Sequence, residues 1–188
     1  ELGYFYASMG GSIIIIQRNK LLIPNADKDV AELFTNVWKK KYTLILNAEV
    51  KKAERKGKNV QVTASIDGKM INVSAEKILI ATGRTSNSDT LDLAKTGVKT
   101  NERGFIVVNE FMETSAKNIW ALGDIAGKFQ FKHSANLEAE SVLQNLFGKK
   151  TAVDYYPMPW AIFTHPQVAG VGLSEQEAID KKISYVVG

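Results

Sequence analysis

The sequence contains no cysteine, only two histidines (His133 and His165), and four prolines in 188 residues. Without a thiol there can be no disulfide framework, cysteine-ligated zinc cluster or thiol nucleophile within these residues, so any sulfur chemistry has to be supplied from outside them. Long apolar runs are also missing. The longest, Ile13 to Ile16, is far short of the roughly 18 residues that a membrane span needs, and no transmembrane helix or membrane partner is expected. The opening stretch ELGYFYASMGG has no initiating Met, no basic segment and no cleavage site. It does not read as a signal peptide, and it looks like the middle of a longer chain.

What is present is the mixture of an ordinary globular protein, 45% apolar and 23% charged. The net charge of +4 sits in mixed clusters such as Lys51, Lys52, Glu54, Arg55 and Lys56. A nucleic-acid surface would want a basic stripe with interleaved aromatics, whereas the aromatics here fall in apolar runs. No nucleic-acid partner is expected.

The periodicity reads as α/β. Residues 1 to 9 look like the end of a helix stopped by Gly10-Gly11, and Ile13 to Ile16 like a buried strand of parallel-sheet type. From Asp27, the apolar positions Val30, Leu33, Phe34, Val37 and Trp38 repeat at helical spacing, and Tyr42 to Leu46 returns as a strand, which makes a βαβ unit. Val50 to Glu54, Val60 to Ile66 and Met70 to Val73 then predict an antiparallel meander, with Asp67-Gly68 as a two-residue hairpin turn. Lys77 to Ile80 predicts a further buried strand that runs into the turn Ala81-Thr82-Gly83-Arg84, at the strand end where open α/β sheets place ligands. Short strands are expected at Phe105 to Val108 and Ile119 to Leu122, and a helix at Ser134 to Phe147 with Gly148 as its stop. Pro157 and Pro159 mark a boundary. Beyond it come a strand near Trp160 to Phe163, a capping-box helix at Ser174-x-x-Glu177 and a last strand at Ile183 to Val187.

Each of these features is weak alone, but their order is specific. A strand plus ATGR, then NIWALGDIAG about forty residues later, then HSANLEAE in a helix, then FTHPQVAGVGLSE resembles the pyridine nucleotide-disulfide oxidoreductases of the dihydrolipoamide dehydrogenase, glutathione reductase and mercuric reductase type. The resemblance runs along nearly the whole chain. It implies a Rossmann-like NAD(P)-binding domain with an antiparallel meander at residues 1–86, lacking its GxGxxG loop. The C-terminal part of an FAD-binding domain would follow at 87–154, and the beginning of an α+β dimerisation domain at 155–188. About 150 to 200 residues would precede Glu1, roughly one further domain.

The resemblance also implies site residues. Glu1 matches a carboxylate near the nicotinamide, although on its own it reads as a solvated helix carboxylate. Gln17 stands where NAD-using members carry an acid for the ribose hydroxyls, with Arg18 directly after it. An amide beside a guanidinium leans towards a 2′-phosphate and NADP(H), while the pair also reads as a plain charged strand end. Val50 and Gly83 match positions that contact the nicotinamide nucleotide, and Val50 equally suits a sheet. Asp124, after Gly123, resembles the carboxylate that accepts a ribityl hydroxyl of FAD. Gln130, Phe131, Lys132 and His133 match the segment that wraps the flavin before a helix whose free N–H groups would favour a reduced flavin.

His165-Pro166 matches a structural strand and turn, so no catalytic residue is assigned in this chain. The implied parent is a homodimeric, cytoplasmic enzyme that uses FAD and NAD(P) on a small disulfide or dithiol substrate, and the fragment alone is not expected to be active. Mercuric or glutathione-type reductases, disulfide-free flavoproteins such as a soluble transhydrogenase or NADH oxidase, and a non-catalytic binding module remain as alternatives.

Overall fold

The computed structural model describes residues 1–148 and 150–187 and separates into two compact units, Glu1–Ile80 together with Pro159–Gly188, and Ala81–Met158.

In the first unit, helix α1 (Leu2–Ser8) leads through Gly10 to strand β1 (Ile14–Ile16), helix α2 (Lys28–Lys39) and strand β2 (Thr43–Ile45). β1 and β2 pair in parallel, Ile14 opposite Thr43 and Ile16 opposite Ile45, which is the βαβ unit that the periodicity predicts. The buried face of α2 differs by a small rotation from the apolar stripe. Ala31, Phe34, Thr35 and Trp38 are inside, while Val30 and Leu33 are exposed. The reason is Thr35, whose hydroxyl donates to the Ala31 carbonyl at 2.7 Å and accepts the Leu22 N–H at 3.1 Å. With both functions satisfied, this hydroxyl is buried at little cost. The tilted stack Phe34, Trp38 and Tyr42 then fixes the same face.

Strands β3 (Ala48–Lys56), β4 (Asn59–Ile66) and β5 (Lys69–Ala75) form the expected antiparallel meander. β4 is central and alternates, with Val60, Val62 and Ala64 buried on one side. Asp67 and Gly68 both have positive φ, the requirement of the tight turn whose twist suits a hairpin.

Two predicted strands are absent. Lys77 to Ile80 pairs with no described segment, and Ile78, Leu79 and Ile80 are exposed. An apolar run becomes a strand only when a neighbour supplies the other half of the ladder. Ile183 to Val187 also forms no strand. Lys182 takes a positive φ, the Ile183 N–H donates to the Ala178 carbonyl, and the Tyr185 hydroxyl donates to Glu175, so the segment folds back on the preceding helix instead.

Strands β6 (Pro159–Ile162) and β7 (Val168–Val171) make an antiparallel pair, followed by helix α4 (Glu175–Asp180). The capping box is complete, with Ser174 accepting the Glu177 N–H and the Glu177 carboxylate accepting the Ser174 N–H. Asp27, at the N-cap position of α2, makes no side-chain bond to its own helix and instead accepts the Glu175 N–H at 2.7 Å. One carboxylate thereby ties the start of α4 to the start of α2.

The second unit has little ladder. The strands predicted around residues 105–108 and 119–122 appear only as single bridges, Thr100 to Ile106 and Glu113 to Trp120. The competing acceptors are side chains. Asn101 Oδ1 takes the N–H groups of Arg103 and Phe105, and Asn109 Oδ1 takes those of Phe111 and Glu113, which diverts donors from a sheet. Val98, Ile106, Val108, Met112, Ala121, Ala126 and Val142 close the core. Gly127 must be glycine on two counts, a φ of +66° and a site for Cβ only 2.5 Å from the Phe105 ring.

Helix α3 (Lys132–Phe147) buries a face that is mostly polar, namely Ser134, Glu138, Ser141 and Val142. Each polar member is satisfied. Ser134 donates to the Phe129 and Phe131 carbonyls, and Ser141 to the Thr151 carbonyl. Glu138, fully buried, accepts the Gly123 N–H on one oxygen and the Tyr155 hydroxyl, at 2.7 Å, on the other. Burial, and then this bond, push the Tyr155 phenol well above its usual range, so it remains a donor well into alkaline pH.

Removing one partner from a buried hydrogen-bonded carboxylate costs far more than the bond is worth. We expect Glu138→Ala to destabilise the full-length protein by on the order of 3 kcal/mol and Tyr155→Phe by about 1 to 3 kcal/mol, with Glu138→Gln intermediate because one acceptor survives. Urea denaturation would check the order of the three. At α4, the Ser174 N–H and hydroxyl hold the Glu177 carboxyl below the usual carboxylate range. A lowered carboxyl favours the fold above its unfolded value of about 4.3, and the contribution is lost as pH falls through the lower folded value. Amide protection of α4 should therefore be flat from neutral pH down to about pH 5 and then fall, and Glu177→Gln should remove that acid limb in hydrogen-exchange measurements.

Candidate functional site

The residues read as nucleotide contacts in the first unit lie at the ends of its elements. Glu1 is the N-cap of α1, exposed, and its Oε1 accepts the Phe163 N–H at 2.9 Å. Gln17 follows β1 directly. Its backbone donates to the Ile45 carbonyl and accepts from Ala48, continuing the β1 edge between β2 and β3. The Gln17 side chain turns into the local loop, with Oε1 accepting the Asn19 N–H at 3.4 Å and Nε2 donating to the Leu22 carbonyl at 3.5 Å. Arg18 is exposed and makes no ion pair among the described residues. Val50 sits in β3, 47% exposed, beside a register shift between Val50 and Lys52. Its side chain is available at the surface instead of being spent in a core.

The second unit brings the remaining residues together. Gly83 has a φ of +109° with nothing within 4 Å of an added Cβ. Its glycine is therefore demanded by the backbone turn and not by crowding within the chain. Immediately after it, the Arg84 guanidinium forms an ion pair with Asp124 Oδ2, and the same Nη1 reaches the Gln130 carbonyl at 3.4 Å. Asp124 stands on a short 3-10 turn, Gly123–Ala126, directly above the Glu138 carboxylate that holds the Gly123 N–H.

Phe131 is the N-cap residue of α3 and stacks on His133, with ring centroids 5.1 Å apart and planes inclined by 13°, and more loosely on Phe129. Lys132 donates to Asn136 on the next turn of the helix. Phe131 offers no side-chain acceptor to the helix start, so the positive end of α3 is left for another acceptor.

This arrangement offers a half-exposed carboxylate, an uncapped helix N-terminus and a flat stacked pair of rings within one unit. A carboxylate suits a ligand hydroxyl, the helix start suits an anionic edge, and the rings suit a planar system. These donors and acceptors fit a flavin nucleotide, judged by the chemistry of the set.

Three residues of this arrangement were not among those expected to contribute. Arg84 was visible as the last residue of ATGR, but pairing it with Asp124 needs a contact across forty positions that no local spacing reveals. Glu138 could have been noticed as a charge on the same helical stripe as Ser134, Ser141 and Val142. Tyr155, read as the start of a new segment, donates its hydroxyl to the Glu138 carboxylate that holds the Gly123 N–H.

The family model for the pyridine nucleotide-disulphide oxidoreductases matches residues 1–139, and that for their dimerisation domain matches residues 158–188. Among curated relatives, the dihydrolipoyl dehydrogenase of Buchnera aphidicola subsp. Schizaphis graminum is 34% identical over all of this chain and 40% of its own length. The mercuric reductase of Staphylococcus aureus is 33% identical over 96% of this chain and 34% of its own length. Among solved structures, a Cu(II) complex of the HOCl-induced flavoprotein disulfide reductase RclA from Escherichia coli superposes with a TM-score of 0.84 at 28% identity, covering 96% of this chain and 41% of that one. The chain thus spans about 40% of the length of the first curated relatives it matches. With the family model covering most of its residues and relatives aligned from end to end, the chain belongs to the pyridine nucleotide-disulphide oxidoreductase family.

Proposed function

We propose that the full-length protein is an FAD-dependent NAD(P)H:disulfide oxidoreductase, most like dihydrolipoamide dehydrogenase. The observation that carries this reading is the Gly123-Asp124 turn, which sets a half-exposed carboxylate near the uncapped start of α3 within the unit that also holds the Gly83-Arg84 turn. Asp124 would accept a ribityl hydroxyl, and the segment Gln130 to His133 would lie along the flavin with the α3 N-terminus stabilising negative charge. When bound, FAD supplies two-electron chemistry between a nicotinamide and a sulfur acceptor. The thiols that relay electrons onward lie outside these 188 residues, which contain no Cys.

In the nucleotide half, Glu1, Gln17, Arg18, Val50 and Gly83 would receive NAD(P). Residues 1–86 would serve as the nucleotide domain, 87–154 as part of the flavin domain, and 155–188 as the start of the surface through which two copies pair. Phe163 and Val171 at the β6–β7 edge are exposed apolar residues, which suits burial by a second subunit. No helix among the described residues is long and apolar enough to cross a membrane, which is compatible with the proposed cytoplasmic enzyme.

The preference between nucleotides turns on Gln17 and Arg18. With an amide at 17 there is no carboxylate to repel a 2′-phosphate, and Arg18 has donors to spare. NADPH is the preferred nucleotide on this reading, by about ten- to hundredfold at most, the equivalent of one charge-assisted contact.

Two sets of measurements test the proposal in the full-length protein. Asp124→Ala should weaken FAD retention by about ten- to hundredfold while leaving NAD(P)H affinity within experimental error; unchanged flavin affinity would sink the assignment. In steady-state kinetics, Gln17→Glu should shift preference towards NADH, and Arg18→Ala should raise the KM for NADPH selectively. A clear NADH preference untouched by loss of Arg18 would mean that this guanidinium simply faces solvent.

A further inference from the structure

Arg84 joins three separate segments of the second unit. Its Nη1 bonds Asp124 Oδ2 on the 3-10 turn and the Gln130 carbonyl before α3, and its own backbone follows the positive-φ turn at Gly83. A carboxylate has two oxygens and about four lone-pair directions. Arg84 engages only Oδ2, and Oδ1 accepts no hydrogen bond among the described residues. An aspartate exposed on a short turn would otherwise sample several rotamers, and a ligand hydroxyl would have to order it on binding.

We propose that Arg84 is a positioning residue of the flavin site, holding Asp124 in the rotamer that presents Oδ1 to a ligand hydroxyl. This rests on the reading of Asp124 as the acceptor for a ribityl hydroxyl. Arg84 acts through Asp124, so its effect on flavin binding exists only while Asp124 keeps its carboxylate. Both side chains are more than half exposed, 60% for Arg84 and 52% for Asp124. Solvent screens the pair, its effect is modest, and added salt weakens it. A direct contact from Arg84 to flavin would instead survive the loss of the Asp124 charge.

The test is a double-mutant cycle in the full-length protein, comprising wild type, Arg84→Ala, Asp124→Asn and the pair. FAD affinity for the flavin-stripped protein is measured by fluorescence at low and high salt, and the melting temperature of the stripped protein is measured in parallel. The expected result is that Arg84→Ala weakens FAD by about fivefold at low salt, that high salt shrinks this difference, and that Arg84→Ala has no further effect once Asp124 is Asn. Arg84→Lys should recover only part of the loss, since an ammonium cannot reproduce the planar fork. It also carries the cycle if the alanine variant does not fold.

Equal losses in both Asp124 backgrounds would overturn the proposal, as would tighter FAD binding in Arg84→Ala or a drop in melting temperature with FAD affinity unchanged. If Asp124→Asn by itself leaves FAD affinity unaltered, the reading of Asp124 as the flavin acceptor fails. An Arg84→Ala loss that persists in that case would make Arg84 a direct contact, which also overturns the positioning role.

Discussion

The second unit is organised around a buried carboxylate. Glu138 is fully shielded from solvent and is neutralised by no cation among the described residues, so its stability rests on two hydrogen bonds, one from the Gly123 N–H and one from the Tyr155 hydroxyl. Leaving a charge in such a place without donors costs several kcal/mol, which is a strong reason for the three segments to stay together. The turn at 123–126, the helix α3 and the chain at Tyr155 are therefore placed by one another and not by apolar packing alone. With the Tyr155 phenol pushed above its usual range, that donor stays in place well into alkaline pH.

Two carboxylates within fifteen residues have been given opposite environments. Glu138 is sealed beneath the turn with both oxygens engaged, while Asp124 sits on top of it with one oxygen committed to Arg84. Burial separates the roles, because a carboxylate in contact with solvent can exchange its partners and a buried one cannot do so without a large penalty. The underside provided by Glu138 allows a short 3-10 turn to hold the Asp124 carboxylate in a defined direction.

The first unit solves a different problem with similar means. Beside the apolar face of α2, polar side chains tie the helices to their surroundings. Thr35 ties α2 to the loop at Leu22, Asp27 ties the start of α2 to the start of α4, and the Lys41 ammonium reaches the His165 carbonyl between β6 and β7. There His165 contributes its backbone carbonyl as an acceptor in the turn.

Local chemistry determined much of this directly. The βαβ unit follows from the switch between periods of two and 3.6, the meander from alternation and the Asp67-Gly68 turn, and α4 from the Ser174–Glu177 capping box. The flavin-side candidates came from the family resemblance carried by the order of ATGR, GD and the helix after QFKH, and the structure gathers Arg84, Asp124 and Gln130 into one network. Tertiary structure decided what depends on partners. Lys77 to Ile80 and Ile183 to Val187 have strand-like sequences, but a strand needs another backbone and none of the described residues supplies one. The short strands of the second unit gave way to Asn101 and Asn109 side-chain bonds, and the α2 stripe rotated to bury Thr35. The pairing of Arg84 with Asp124 and of Glu138 with Gly123 lay beyond any local pattern, because a charge shows in its neighbours in sequence only the spacing along one element, while its partner is chosen by how the chain folds back upon it.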